Sequence, residues 1–245
     1  MDSGYYAAYS GLLARNEALD SAASNLANAN TNGFRAEREY FRGAIGGPEA
    51  ADSQVNRVVN NFGVLGGNQI DLSQGSLVRT GNPLDVALQG NGFFAIRTAG
   101  GDRYTRDGSF LRSSNGTLTV RTGEPVLDAQ RRPIKVPSGK LDISSTGALS
   151  VDGGLVAQLG VFAAPNTQLV PEGTNRYKLA DAKATASAAS DFSVQQGSLE
   201  SSNEDVVGGS LHLMLVQRQA EMMQRALSLF NTNFDRVASE DLPKV

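Results

Sequence analysis

The single histidine of the chain, His212, and four carboxylates close together in sequence, Asp102, Asp107, Glu124 and Asp128, are the groups best suited to acid–base chemistry. Paired carboxylates hydrolyse glycosidic bonds when one is held protonated and the other ionised. Sugar clefts of that kind are floored with aromatic rings, and this chain has no tryptophan. His212 has no second histidine with which to share a metal ion, and it lies between Leu211 and Leu213, where packing or exposure is the ordinary role. Arg103, Arg106, Arg112 and Arg121 are spaced to line an acidic partner, and they are equally ordinary on solvated strand faces.

Other chemistries lack their raw material. Without cysteine there is no thiol nucleophile, thiolate zinc site, iron–sulfur cluster or disulfide framework. Residues 63–67 (GVLGG) lack the Lys-Ser/Thr ending of a phosphate loop, and Gly90-Asn91-Gly92 opens no helix, so both read as turns. Asn115-Gly116-Thr117 has the letters of a glycosylation site, but a hairpin turn accounts for it more simply. The residues therefore predict no catalytic group, no cofactor, no metal, and a protein that is not an enzyme.

The 22 basic and 25 acidic residues leave a net charge of −3, with no electrostatic footprint for nucleic acid or an anionic membrane. No apolar run approaches the roughly 20 residues needed to cross a bilayer. The opening MDSGYYAAYS has Asp2 where a secretory signal carries basic residues, which predicts no cleaved signal peptide. Hydrophobic content of 40% and charged content of 19% are those of a folded protein, and the 27 glycines favour turns and strands.

The elements that would position these groups follow from proline and periodicity. All eight prolines lie outside residues 1–47 and 172–242, leaving both ends free to be helical. Tyr5, Tyr9, Leu12, Asn16, Leu19, Ala23 and Leu26 recur at alternating spacings of four and three, predicting a helix over 5–30 that ends in Asn28, Asn30, Asn32 and Gly33. Leu213, Val216, Ala220, Met223, Leu227, Phe230, Phe234 and Val237 repeat the pattern at the other end. A second stripe, Leu211, Leu215, Met222, Ala226 and Leu229, widens that apolar face. Ser202 or Asn203 caps this helix in the reading, and Gly208-Gly209 delay its start to Ser210.

Between the ends the period becomes two. Leu84, Val86 and Leu88 alternate with polar or small residues, 93–97 follows Asn91-Gly92, and Asn115-Gly116 marks a hairpin within 109–120. The expected fold is α+β, with N- and C-terminal helices forming a coiled-coil-like layer and a central all-β domain of short strands. Its expected segments are an N-terminal helical assembly segment at 1–45, a connector at 46–71, the β domain at 72–199, and a C-terminal helical assembly segment at 200–245 that pairs with the first. The expected assembly interface is Tyr9, Leu12, Leu19, Leu26, Leu213, Val216, Met223, Leu227, Phe230 and Phe234.

Three stretches carry a family resemblance. Residues 25–35 (NLANANTNGFR) hold Asn25, Leu26, Asn28, Gly33 and Phe34; residues 82–94 (NPLDVALQGNGFF) hold Asn82, Pro83, Leu84, Asp85, Gly90, Gly92, Phe93 and Phe94, and YTRDGSF follows at 104–110. Residues 196–203 (QGSLESSN), with Gln217-Arg218 beyond them, complete the set. In this order the motifs resemble the axial proteins of the bacterial flagellar rod and hook. The chain departs from the family's usual pattern at Ser24, at Gly208-Gly209 and at Ala220. The opening MDSGYY and the modest length look more like a proximal rod subunit than a distal rod or hook subunit.

The resemblance implies a structural subunit that polymerises helically through its terminal helices into a hollow, torque-transmitting shaft around an export channel. It implies copies of itself, other flagellar rod proteins and the export apparatus as partners, with no nucleic acid and no membrane insertion. It places the chain in the periplasm-spanning rod of the basal body, exported by a type III route without signal cleavage. From another class, a secreted ligand-binding protein or enzyme merely oligomerised by its helices remains open; a cleft of convergent polar groups in the β domain would favour it.

Overall fold

A computed structural model describes the backbone of residues 2–42, 64–173, 175–181 and 184–240, and in its two helices the side chains of residues 9–27 and 206–228. The chain divides into two compact units. A terminal unit comprises Met1–Leu26, Glu37–Gln69 and Val206–Val245, and a body comprises Ala27–Ala36 and Ile70–Asp205.

The terminal unit holds the helices α1 (Asp2–Ala27) and α2 (Val206–Glu240) and a strand pair, β1 (Glu37–Arg42) with β2 (Val64–Ile70). Asn25 joins α1 to β1: its Nδ2 donates to Glu37 O at 2.7 Å and its Oδ1 accepts from Glu37 N at 2.9 Å. His212 Nε2 on α2 lies 3.0 Å from Glu39 Oε1 on β1.

These observations correct the expected fold class. The described residues contain only two α-helices and one short 3-10 helix (Asn166–Gln168) beside seventeen strands, and part of the expected helical end and connector is the β1–β2 pair. The face that α1 buries is not the leucine seam of a coiled coil. Gly11, Ala14, Ala18, Ser21, Ala22 and Asn25 are buried, whereas Tyr9 is exposed, Leu12, Leu19 and Leu26 are half-buried, and Asn16 and Ala23 are exposed. Both stripes run at spacings of three and four, about 100° apart around the helix. Hydrophobicity selects the leucines, but packing selects the small residues, which let another backbone approach closely.

On α2 the buried face is Gly209, Val216, Ala220 and Leu227, with Leu213 and Met223 half-buried. The helix begins at Val206 and runs through Gly208-Gly209 rather than starting at Ser210. Asp205, not Ser202 or Asn203, therefore stands at the capping position. The side chains of Phe230 and Phe234 fall outside the described residues.

The body is built on a six-stranded sheet in the order β13 (Leu169–Pro171), β14 (Arg176–Leu179), β6 (Gly101–Thr105), β5 (Phe93–Thr98), β12 (Val161–Ala163) and β15 (Ser187–Ala188). Its middle strand β5 is buried on both faces. Phe94 and Ile96 enter a core with Val86, Leu88, Phe110 and Leu149, while Phe93 and Ala95 enter a second with Tyr104, Phe162 and Tyr177. The adjacent rings thus anchor one core each, edge-on to Phe110 at 5.1 Å and to Tyr177 at 5.6 Å.

Around this sheet lie β11 (Gly154–Gln158), β10 (Ala148–Val151) and β9 (Leu141–Ile143) in that order, and the pairs β16 (Phe192–Gln196) with β4 (Val86–Gly90), β17 (Ser198–Glu200) with β3 (Leu77–Arg79), and β7 (Leu111–Arg112) with β8 (Leu118–Thr119). Asn115-Gly116 does not make a two-residue turn. It sits in the longer loop between Arg112 and Leu118, where Asn115 Oδ1 accepts from Thr117 N at 3.0 Å.

Ala18 is 1% exposed, so Ala18→Leu is expected to destabilise the terminal unit by about 1–3 kcal/mol through overpacking. Asn16→Leu, on the exposed leucine seam, is expected to change stability by less than about 0.5 kcal/mol. Thermal melts of the two variants followed by helical circular dichroism check the contrast, and equal effects would reinstate the leucine seam.

Candidate functional site

Within the body the three sequence motifs converge on one buried carboxylate. After α1 the chain turns: Thr31 N donates to Asn28 O at 3.0 Å, and Gly33 follows in the left-handed region at φ +68°. Gly33 N donates to Glu200 O at 2.8 Å, and a Cβ at Gly33 would lie 2.2 Å from Asp107 N. Only glycine satisfies both the angle and the approach. Phe34 is buried beyond it, and Arg35 is among the largest fully buried side chains.

Arg35 Nη2 donates to Glu200 Oε1 at 2.6 Å, with neither side chain exposed to solvent. Arg106, also buried, donates from Nη1 to Glu200 Oε2 at 3.1 Å and to Leu88 O at 3.3 Å, and from Nη2 to Gly90 O at 2.5 Å. Its guanidinium lies 5.3 Å over the Phe93 ring. Gly75 N donates to Glu200 Oε1 at 3.0 Å, and a Cβ there would lie 2.0 Å from Ser201 O. Burial, with the Arg35 charge adding to it, holds the Arg106 guanidinium below its ordinary range against the pull of Glu200.

A second gathering point lies beside the first. Asn203 Oδ1 accepts from Ala36 N at 2.7 Å, and its Nδ2 donates to Asp71 O at 2.9 Å and Ser73 O at 3.1 Å. The central motif closes locally: Asn82 Nδ2 donates to Asp85 Oδ1 at 2.9 Å, Gln196 Nε2 donates to Pro83 O at 2.8 Å, and Leu84 packs on the core. Gly90 and Gly92 have φ of +91° and +121°, the latter against Val161. Gln217 and Arg218 are exposed on α2.

Such a cluster holds chain segments together; its charged atoms are shut off from solvent and reach no substrate. The four carboxylates considered for hydrolysis are each engaged elsewhere: Asp102 with Arg97 and Arg131, Glu124 with Arg176, Asp128 with Arg132, and Asp107 with Ser109 and Asn175. A polar hollow of about 370 Å³ includes Asp107, Ser109, Asn175 and Arg176, whose polar groups thus already bond within the protein. Arg112 donates to Pro137 O, and Arg103 pairs with Glu172. Among the described residues no group of three metal-ligating side chains occurs.

Sequence alone gave Arg35 and Glu200 no individual role and Asn203 only that of a helix cap. A signal was available: Arg35 is the only charge in residues 25–35 and Glu200 the only charge in residues 196–203, and they are opposite in sign.

Glu200→Gln leaves two buried guanidinium groups without a counter-charge and is expected to cost about 3–5 kcal/mol, read as a lower unfolding midpoint of the body in denaturant. In the terminal unit, burial raises the carboxyl of Glu37 above its usual range, opposed by a hydrogen bond from Asn68. The protonated form is then favoured in the fold, so this group's stabilisation is present at low pH and is lost as pH rises through its folded value. Glu37→Gln is expected to remove that loss, so wild type and variant should diverge at neutral pH in thermal melts taken across pH 4 to 7.

Comparison with known proteins gives a consistent picture. The family model described as flagella basal body rod protein matches residues 6–35, and that described as flagellar hook protein FlgE/F/G D1 domain matches residues 87–152. The chain is 34% identical to the flagellar basal-body rod protein FlgF of Mesorhizobium japonicum over 90% of each chain. It is 31% identical to the FlgF of Caulobacter vibrioides over the full length of both. With the flagellar basal-body rod protein FlgG of Bacillus subtilis it shares 31% identity over 87% of this chain and 89% of that one.

Proposed function

The chain belongs to the flagellar basal-body rod protein family, and on that premise we infer that it is a structural subunit of the bacterial flagellar rod, residing in the basal body and assembling with other rod components. It works without catalysis. Subunits polymerise helically through their terminal helices into a hollow shaft that transmits torque and encloses an export channel, and each subunit reaches its place through the flagellar export apparatus. The proximal part of the rod is the position proposed for it.

The observation that carries polymerisation through the helices is an uncovered apolar stripe on α2. Val207, Leu211, Met214, Leu215 and Met222 are 58–67% exposed, on a helix whose Val216, Ala220 and Leu227 are buried. Monomeric proteins rarely leave so continuous an apolar surface in water. Of the interface residues read from sequence, Val216 and Leu227 are instead buried in the monomer. An aspartate at Leu227 would disrupt the unit itself, so Leu211 and Leu215 are the informative positions.

In a strain whose own copy is replaced, Leu211→Asp with Leu215→Asp is expected to abolish swimming while the chain remains folded and absent from purified basal bodies. Normal motility and normal incorporation would remove the terminal helices from the assembly mechanism.

A further inference from the structure

The chain has three Asn-Gly pairs, at 32–33, 91–92 and 115–116, and each follows a small residue, Thr31, Gly90 or Ser114. In this dipeptide the glycine nitrogen can attack the asparagine's own side-chain carbonyl, because the glycine has no side chain to obstruct it. The nitrogen gives up its proton to water, its bond to Cγ forms, and the Cγ–Nδ2 bond breaks with release of ammonia, which takes a proton back from water. A water molecule then opens the five-membered imide at one of its two carbonyls. Opening at Cγ leaves aspartate, and opening at the backbone carbonyl leaves isoaspartate, with one extra carbon in the main chain.

Alike in sequence, the three pairs differ in the fold. Attack requires a glycine N–H that donates to nothing and an asparagine side chain free to swing over it. Gly33 N donates to Glu200 O at 2.8 Å, in backbone packed so closely that a Cβ would lie 2.2 Å from Asp107 N. Gly116 N donates to Ser113 O at 2.9 Å, and Asn115 Oδ1 accepts from Thr117 N at 3.0 Å and from Ser113 Oγ at 2.5 Å. Both pairs are therefore restrained at the attacking nitrogen, and the second at the attacked side chain as well.

Asn91-Gly92, the turn between β4 and β5, has neither restraint. Asn91 is exposed, and among the described residues its side chain makes no hydrogen bond and Gly92 N donates none. Main-chain donors in buried residues are nearly always paired, so an uncommitted one at the buried Gly92 is unusual. The rest of the turn is fixed: Asn91 N donates to Asp191 O at 3.0 Å, Gly90 N donates to Gln74 Oε1 at 3.1 Å, and Gly92 lies against Val161.

We propose that Asn91 is a modification site, the residue at which this chain deamidates first. Its two products differ in consequence. Aspartate at position 91 leaves the main chain unchanged and places its charge in solvent. Isoaspartate lengthens the link between Gly90, whose O accepts from Arg106 Nη2 at 2.5 Å, and Phe93, whose ring lies 5.3 Å under the same guanidinium. The extra carbon therefore loosens the hold on Arg106 within the buried ion cluster. This inference stands apart from the polymer reading above, since it concerns the body of a single chain.

Peptide mapping by mass spectrometry tests it, on the full-length chain aged in mildly alkaline buffer, once folded and once in denaturant. In the folded chain Asn91 is expected to convert about fivefold or more faster than Asn32 and Asn115, each of which must first break a hydrogen bond to react. In denaturant the three rates are expected to converge, because the pairs are alike in sequence. Asn91 converting no faster than the other two in the folded chain would overturn the assignment. The aged fraction carrying isoaspartate is expected to unfold at a lower denaturant concentration than the fraction carrying aspartate, and equal midpoints would overturn the link to Arg106.

Discussion

A single carboxylate shared by two buried guanidinium groups is the constraint around which the body is arranged. Glu200 meets Arg35 and Arg106 on its two oxygens and Gly75 on one of them. An ion cluster of this kind offers little net stability over a well-packed apolar replacement, because three charged groups had to be taken out of water. Its effect is on arrangement. Alternative pairings of these segments leave at least one buried charge without a partner, so the motif after α1, the central strands and the segment before α2 are driven to one register. The glycines follow from the same demand: Gly33 and Gly75 lie where another backbone passes too close for any side chain.

The same kind of pairing engages the carboxylates whose spacing resembles that of a catalytic pair. Asp102, Glu124 and Asp128 each face an arginine. Their lone pairs are already committed to those partners. The demands on a shaft subunit are rigidity and uncovered faces, and its charges serve the first of these.

Much of the fold was legible in the sequence, and the exceptions have physical causes. Proline placement and the change of period located the terminal helices and the β body, because those signals reflect backbone constraints. The buried face of α1 was hidden because alanine and glycine carry little hydrophobic weight even where they are most buried. The β1–β2 pair was hidden because Glu37, Arg38 and Glu39 do not look like strand residues, and their pairing depends on distant groups such as Asn25 and His212. Asn115-Gly116 does mark a hairpin, β7 with β8, while the tighter turn at Asp152-Gly153 went unread because the residues after it, Gly154 to Gln158, alternate weakly. For the ion cluster, the motifs indicated that their residues mattered; which charge met which needed the fold.

Asn203 has a mechanical consequence. The chain passes between its two units four times, at Leu26 to Ala27, Ala36 to Glu37, Gln69 to Ile70 and Asp205 to Val206. The one amide of Asn203 bonds to Ala36, Asp71 and Ser73, and it stands two residues before the last crossing. Within the body, one side chain therefore ties together the segments at residue 36, residues 71–73 and residue 203, so those bonds share a load instead of breaking one after another.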